Sequence, residues 1–203
     1  MKAKQSGVIP TRNSKSSLFS ILNIPSDVAI LLPNHDDLGL SRGSNEAFLE
    51  LNKCGFINSG SVMVPCPWFP HVVQNAQEHK ELNIGIHLTL TSEWKEYRWR
   101  PLSTSSKSSG LVDEGGYFWK NRKLLIQNLN VHAAEIELKK QIETALSAGI
   151  DLTHIDCHMG IGFIPQLFEI YVNLGKCYRL PILLFNGIDP ILDLYKIDVE
   201  DRS

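Results

Sequence analysis

Val28-Ala29-Ile30-Leu31-Leu32-Pro33-Asn34-His35-Asp36-Asp37-Leu38-Gly39-Leu40-Ser41 joins an apolar run, two adjacent carboxylates and a turn in one short stretch. The run Val28 to Leu32 reads as a buried strand. Two neighbouring acids at its end repel each other, and each needs a partner, a proton or a metal. Gly39 permits a sharp turn, and Ser41 or Ser44 can cap the helix that follows. Taken alone, the stretch is an ordinary Asp-Asp turn between a strand and a helix. Two later stretches give it more weight.

The first is Asn83-Ile84-Gly85-Ile86-His87-Leu88-Thr89-Leu90-Thr91, which alternates and reads as a strand with His87 inside it. A single strand histidine is most often a hydrogen-bonded core residue. The second is Asp151-Leu152-Thr153-His154-Ile155-Asp156-Cys157-His158, which crowds two histidines and an aspartate at the end of another short strand. One aspartate and two histidines from different strand ends make a three-ligand set with a position open for water. A hydrolytic metal site requires that set. Asp36 is then left as a base beside the water. Cys157 is expected to point away, because side chains alternate along a strand.

The rest of the chain alternates strands with helices. Ala47, Phe48 and Leu51 repeat at helical spacing up to Gly55. Ser59 to Val64 reads as the second strand, and Pro70 opens a helix carrying Val72, Val73 and Ala76. Residues 92–131 have no clear period. Ala133 to Ala148 is the clearest helix, with Leu138, Ile142, Ala145 and Leu146 on one stripe and Gly149 as its stop. A helix near Pro165 carries Leu167, Phe168, Tyr171 and Val172, and Pro181 to Phe185 reads as a fifth strand. This order predicts an α/β fold with parallel strands and crossover helices. Asp36, Asp37, His87 and His154 then fall near one strand end, where such folds place their chemistry.

Composition bounds the function. The chain has 203 residues, 43% of them hydrophobic, enough for a sizeable core. A net charge of −2 gives no footprint for nucleic acid or an anionic membrane. No apolar run approaches the roughly 20 residues of a membrane helix. Cys54, Cys66, Cys157 and Cys177 form no C-x-x-C pair, so reduced thiols and a cytoplasmic location are expected. Residues 1–17 are basic, serine-rich and free of acids, and read as a flexible tail ahead of a domain over 18–203.

Asn34-His35-Asp36-Asp37-Leu38-Gly39, Ser59-Gly60-Ser61-Val62-Met63-Val64, Gly85-Ile86-His87-Leu88-Thr89-Leu90 and Thr153-His154-Ile155-Asp156-Cys157-His158 run in this order. The ordered set resembles the YdjC-like carbohydrate deacetylases over roughly residues 28–185. The resemblance implies an irregular TIM-like (β/α) barrel. It also implies metal-dependent removal of acetyl groups from N-acetylated sugars or oligosaccharides. It puts His154 at a strand end, so the expected ligands of one divalent metal ion, zinc or magnesium, are Asp37, His87 and His154. Asp36 is the expected base and Asp156 a partner that orients a histidine. His158 is a candidate proton donor to the departing amine, equally a fourth ligand or a substrate contact, and stays outside the expected ligand set. His35 stands where the family usually has a small residue, and Met159-Gly160 where many members carry another histidine.

Five strands do not close such a barrel, which takes about 250 residues. The C-terminal part is therefore expected to be missing, and the open sheet to self-associate, with a homo-oligomer as one outcome. Trp94, Tyr97 and Trp99 cluster after the His87 strand and suit either the apolar face of a sugar or ordinary packing. Two other readings compete. One is a catalytically inactive remnant that binds metal or a partner. The other is a phosphoesterase, disfavoured because no H-x-H follows an early strand.

Overall fold

The computed structural model describes residues 22–25 and 27–184. Contacts divide the chain into two units at Leu32/Pro33. The run Val28 to Leu32 is not a strand. Leu31 is 82% and Leu32 78% exposed, against the buried strand expected there. The first strand starts two residues later and contains the two acids.

Four strands form a parallel sheet in sequential order: β1 (Asn34–Leu38), β2 (Ser59–Val62), β3 (Asn83–Leu88) and β4 (Leu152–Cys157). The helices are α1 (Arg42–Lys53), α2 (Phe69–Glu78), α3 (Arg122–Asn128), α4 (Val131–Ser147) and α5 (Pro165–Tyr178). The α/β class and parallel pairing are as expected. The sheet does not close into a barrel among the described residues. Of the expected fifth strand, Ile182 forms a single parallel bridge to Ile155 beside β4. Phe185, the tail over 1–17 and everything after Leu184 lie outside the described residues.

Alternation gives the sheet two unlike faces. Ile84, Ile86 and Leu88 of β3, with Ile155 of β4, are at most 2% exposed and belong to the core. Burying each such side chain stabilises by about 1.5–3 kcal/mol. Cys157 follows the same parity, as expected, and its Sγ accepts the Gly162 N–H at 3.3 Å. The opposite face carries Asn34, Ser59, Ser61, His87, His154 and Asp156. A sheet buried between two apolar layers would read as continuous hydrophobic runs. This polar face is why β1 and β2 are weakly marked in the sequence.

Local signals place the helix starts. Ser41 Oγ accepts the Ser44 N–H at 3.1 Å and caps α1, and the Asn121 and Asn130 side chains cap α3 and α4. Gly39, at φ +88°, turns the chain between β1 and α1, and a Cβ there would lie 3.1 Å from the Met63 carbonyl oxygen. Asn45 braces that turn, accepting the Gly39 N–H at 2.7 Å and donating to the Trp68 carbonyl at 3.1 Å.

Candidate active site

In a regular strand Asp36 and Asp37 would point to opposite faces. They do not, because β1 breaks register between His35 and Leu38, and Asp37 has a left-handed backbone at φ +61°. Such breaks re-aim side chains near functional sites. Both carboxylates therefore reach His87. A ligand atom from each of Asp37, His87 and His158 lies within 4.8 Å of the others, and the same holds for Asp36, His87 and Asp156.

Asp37 Oδ1 is the centre of the first trio. It is 3.2 Å from His87 Nε2 and 3.0 Å from His158 Nδ1. Two imidazole nitrogens and one carboxylate oxygen converge there, a donor set that suits zinc and accepts other divalent ions. Behind His87, Nδ1 donates to Asp156 Oδ1 at 2.6 Å, and Ser61 Oγ donates to Asp156 Oδ2 at 2.7 Å. Asp36 is held from its own strand: Asn34 Nδ2 donates to Asp36 Oδ1 at 2.7 Å, and Asn34 Oδ1 accepts from Ser59 Oγ at 2.7 Å.

The charges are mutually reinforcing. Burial works against the His87 imidazolium, but hydrogen bonds to Asp156 and Asp37 prevail and raise its pKa to about 10. Burial likewise opposes ionisation of Asp37. The bonds from His158 and His87 overcome it and hold its carboxyl well below the usual carboxylate range. His158 is raised in the same way, burial being outweighed by bonds to Asp37 and Glu93.

His154 is not brought together with Asp37 and His87. Its ring packs over Gly85, where a Cβ would come 2.4 Å from His154 Nε2, and its Nδ1 is 2.9 Å from Thr153 Oγ1. A strand rises about 3.3 Å per residue, so four residues separate His154 from His158 by roughly 13 Å along the sheet. Only His158, just past the end of β4, is level with Asp37. Left-handed Met159 and Gly160 turn the chain immediately after it.

Of the clustered aromatic residues, Trp99 is 2% exposed and its indole N–H donates to the Thr91 carbonyl at 2.8 Å. Tyr97 is half-buried, with its hydroxyl donating to the Leu40 carbonyl at 2.5 Å, whereas Trp94 is 53% exposed. Glu93 was not singled out in the sequence, yet its Oε2 accepts from His158 Nε2 at 3.0 Å. The available signal was an acid just beyond the C-terminal end of the His87 strand. His35 faces away from the acids, with Nε2 3.0 Å from Ser44 Oγ and its ring edge-on to Phe48.

Known proteins are similar to this chain in sequence and fold. The chain is 38% identical over 160 residues to a Thermus thermophilus protein named carbohydrate deacetylase, covering 79% of this chain and 55% of that one. It is 36% identical over 152 residues to a protein of the same name from Clostridium beijerinckii, covering 75% and 58%. The chain thus spans little more than half the length of these relatives. A crystal structure from Enterococcus faecalis V583, of a protein named for cellobiose-phosphate cleavage, superposes with a TM-score of 0.69 at 27% identity. That match covers 81% of this chain and 63% of the other. The model of the YdjC-like protein family matches residues 31–197, and on that extent the chain belongs to the YdjC-like family.

Proposed function

We propose that this chain carries the site of a metal-dependent hydrolase that removes acetyl groups from N-acetylated sugars or oligosaccharides. The convergence of His87 Nε2 and His158 Nδ1 on Asp37 Oδ1 is the observation that carries the reading. The names of the relatives supply the substrate class. In this reading Asp37, His87 and His158 hold one divalent ion, zinc or magnesium. The ion supplies Lewis-acid chemistry for amide hydrolysis.

The remaining steps belong to the side chains. Asp36 is exposed within β1, and its carboxylate takes the proton of the attacking water. The same carboxyl can then return a proton to the departing amine. His158 is assigned to the ligand set and not to proton donation, because its two ring nitrogens face Asp37 and Glu93. Asp156 fixes the His87 ring from behind. Trp94 offers the exposed aromatic face for a sugar ring.

Metal content and acetate release from N-acetylated chito-oligosaccharides test the division of roles. Asp36→Asn is expected to keep the metal and lower turnover by about 100-fold or more, the usual weight of a general base. Asp37→Asn is expected to lose the metal. Equal metal loss in both variants sinks the assignment.

A further inference from the structure

We propose that Glu93 is a positioning residue that locks the His158 ring for cation binding, as Asp156 does for His87. The proposal rests on the reading of Asp37, His87 and His158 as ligands. Each histidine has one nitrogen facing Asp37 Oδ1 and the other donating to a different carboxylate. For His87 the rear contact is Nδ1 to Asp156 Oδ1 at 2.6 Å. For His158 it is Nε2 to Glu93 Oε2 at 3.0 Å, with the histidine side chain 6% and the glutamate 29% exposed. A rear carboxylate fixes the tautomer, holds the ring plane and makes the front nitrogen a better donor to a cation.

The backbone beside Glu93 is braced, so its carboxylate does not depend on a mobile loop. Thr91 bridges Trp119, and the Ser92 N–H donates to the Trp119 carbonyl at 2.9 Å. Ser92 Oγ accepts the Trp99 N–H at 3.0 Å, and Arg98 Nε donates to the Ser92 carbonyl at 3.2 Å. The Trp99 ring meets the His158 ring edge-on, with centroids 6.1 Å apart. The segment after β3 thus supplies both the hydrogen-bond acceptor and the packing wall for His158. This gives the aperiodic stretch a task at the site that its sequence pattern does not announce.

Zinc titration of the full chain against a chromogenic chelator tests the proposal, with melting of the metal-free protein as a second readout. Glu93→Ala is expected to weaken zinc binding 10- to 100-fold, the usual effect of removing such a support. Glu93→Gln keeps an acceptor oxygen without the charge and should fall between wild type and Glu93→Ala. Glu96→Gln removes an exposed charge of the same segment and should leave affinity unchanged. The metal-free melts should differ little among the four proteins. Glu93→Ala binding zinc within twofold of wild type overturns the proposal while leaving the ligand reading intact. A wild-type chain that binds neither zinc nor magnesium, or that binds zinc as well after His158→Ala, overturns the ligand reading and the proposal with it. If Glu93→Ala does not fold, Glu93→Gln decides: affinity equal to wild type overturns the proposal, and a loss supports it.

Discussion

Asp37 is held in a backbone conformation that costs a non-glycine residue roughly 1–2 kcal/mol. The return is a carboxylate aimed at two histidines, and the electrostatics show how much rests on it. His87 has a folded pKa of about 10 against an ordinary 6.5. A raised pKa means stability that is complete below pH 6.5 and is lost as pH rises through 10. Asp37 is depressed below its ordinary 3.8, so its contribution is present above that value and is lost as pH falls below it. The metal-free protein should therefore gain most from this cluster between about pH 4 and 6.5 and lose melting temperature from pH 6.5 to 10. Asp156→Asn should flatten that alkaline decline, since it removes the strongest partner of His87. A decline of equal slope in wild type and variant would exclude the cluster as its source. At this scale the acids and His87 were legible, because charged residues inside apolar runs stand out. The choice between His154 and His158 was not. It depends on where β4 ends, and that is set by pairing with β3 and by the left-handed Met159-Gly160 turn, neither of which periodicity reveals.

The helices were read more accurately than the strands. α4 buries Leu138, Ile142 and Ala145 of the expected stripe, while its fourth member, Leu146, is 43% exposed. What the pattern hid is that Glu137 and Gln141, one turn apart, are buried with them. Glu137 accepts the backbone N–H groups of Leu102 at 3.1 Å and Ser103 at 2.7 Å, and Gln141 bridges the N–H and carbonyl of Thr89. A helix thus satisfies the polar backbone of the aperiodic segment, which explains how that segment stays ordered without a period of its own. Glu137→Ala takes the acceptor from the part-buried Leu102 and Ser103 N–H groups, at about 1–2 kcal/mol each. It should lower stability by roughly 3 kcal/mol, with hydrogen exchange accelerating at Leu102 and Ser103 before the α4 backbone. Unchanged exchange at those two amides would remove the anchoring role. The misplaced first strand has the opposite cause. Val28 to Leu32 is apolar but unpaired, while Asn34 and His35 pair with Ser59 and Gly60 through backbone groups that hydropathy does not register.

The proposed ligands come from β1, from β3 and from the residue after β4, so a bound cation ties together strands far apart in sequence. No unfolded chain holds those three groups in that geometry, and binding free energy becomes folding free energy. At a free zinc concentration 100 times the dissociation constant the gain is about 2.7 kcal/mol. For a chain of this size that corresponds to a rise of roughly 5–10 °C in melting temperature. The sheet itself does not need the ion: its core of Ile84, Ile86, Leu88 and Ile155 lies on the opposite face. The metal-free protein should therefore still melt cooperatively, only lower. His87→Ala and His158→Ala should each abolish the zinc-dependent rise. His154→Ala, which removes a ring packed over Gly85, should keep it while shifting both melts together. The reverse pattern, with the rise surviving His158→Ala and vanishing in His154→Ala, would return His154 to the ligand set and require β4 to end earlier than it does here.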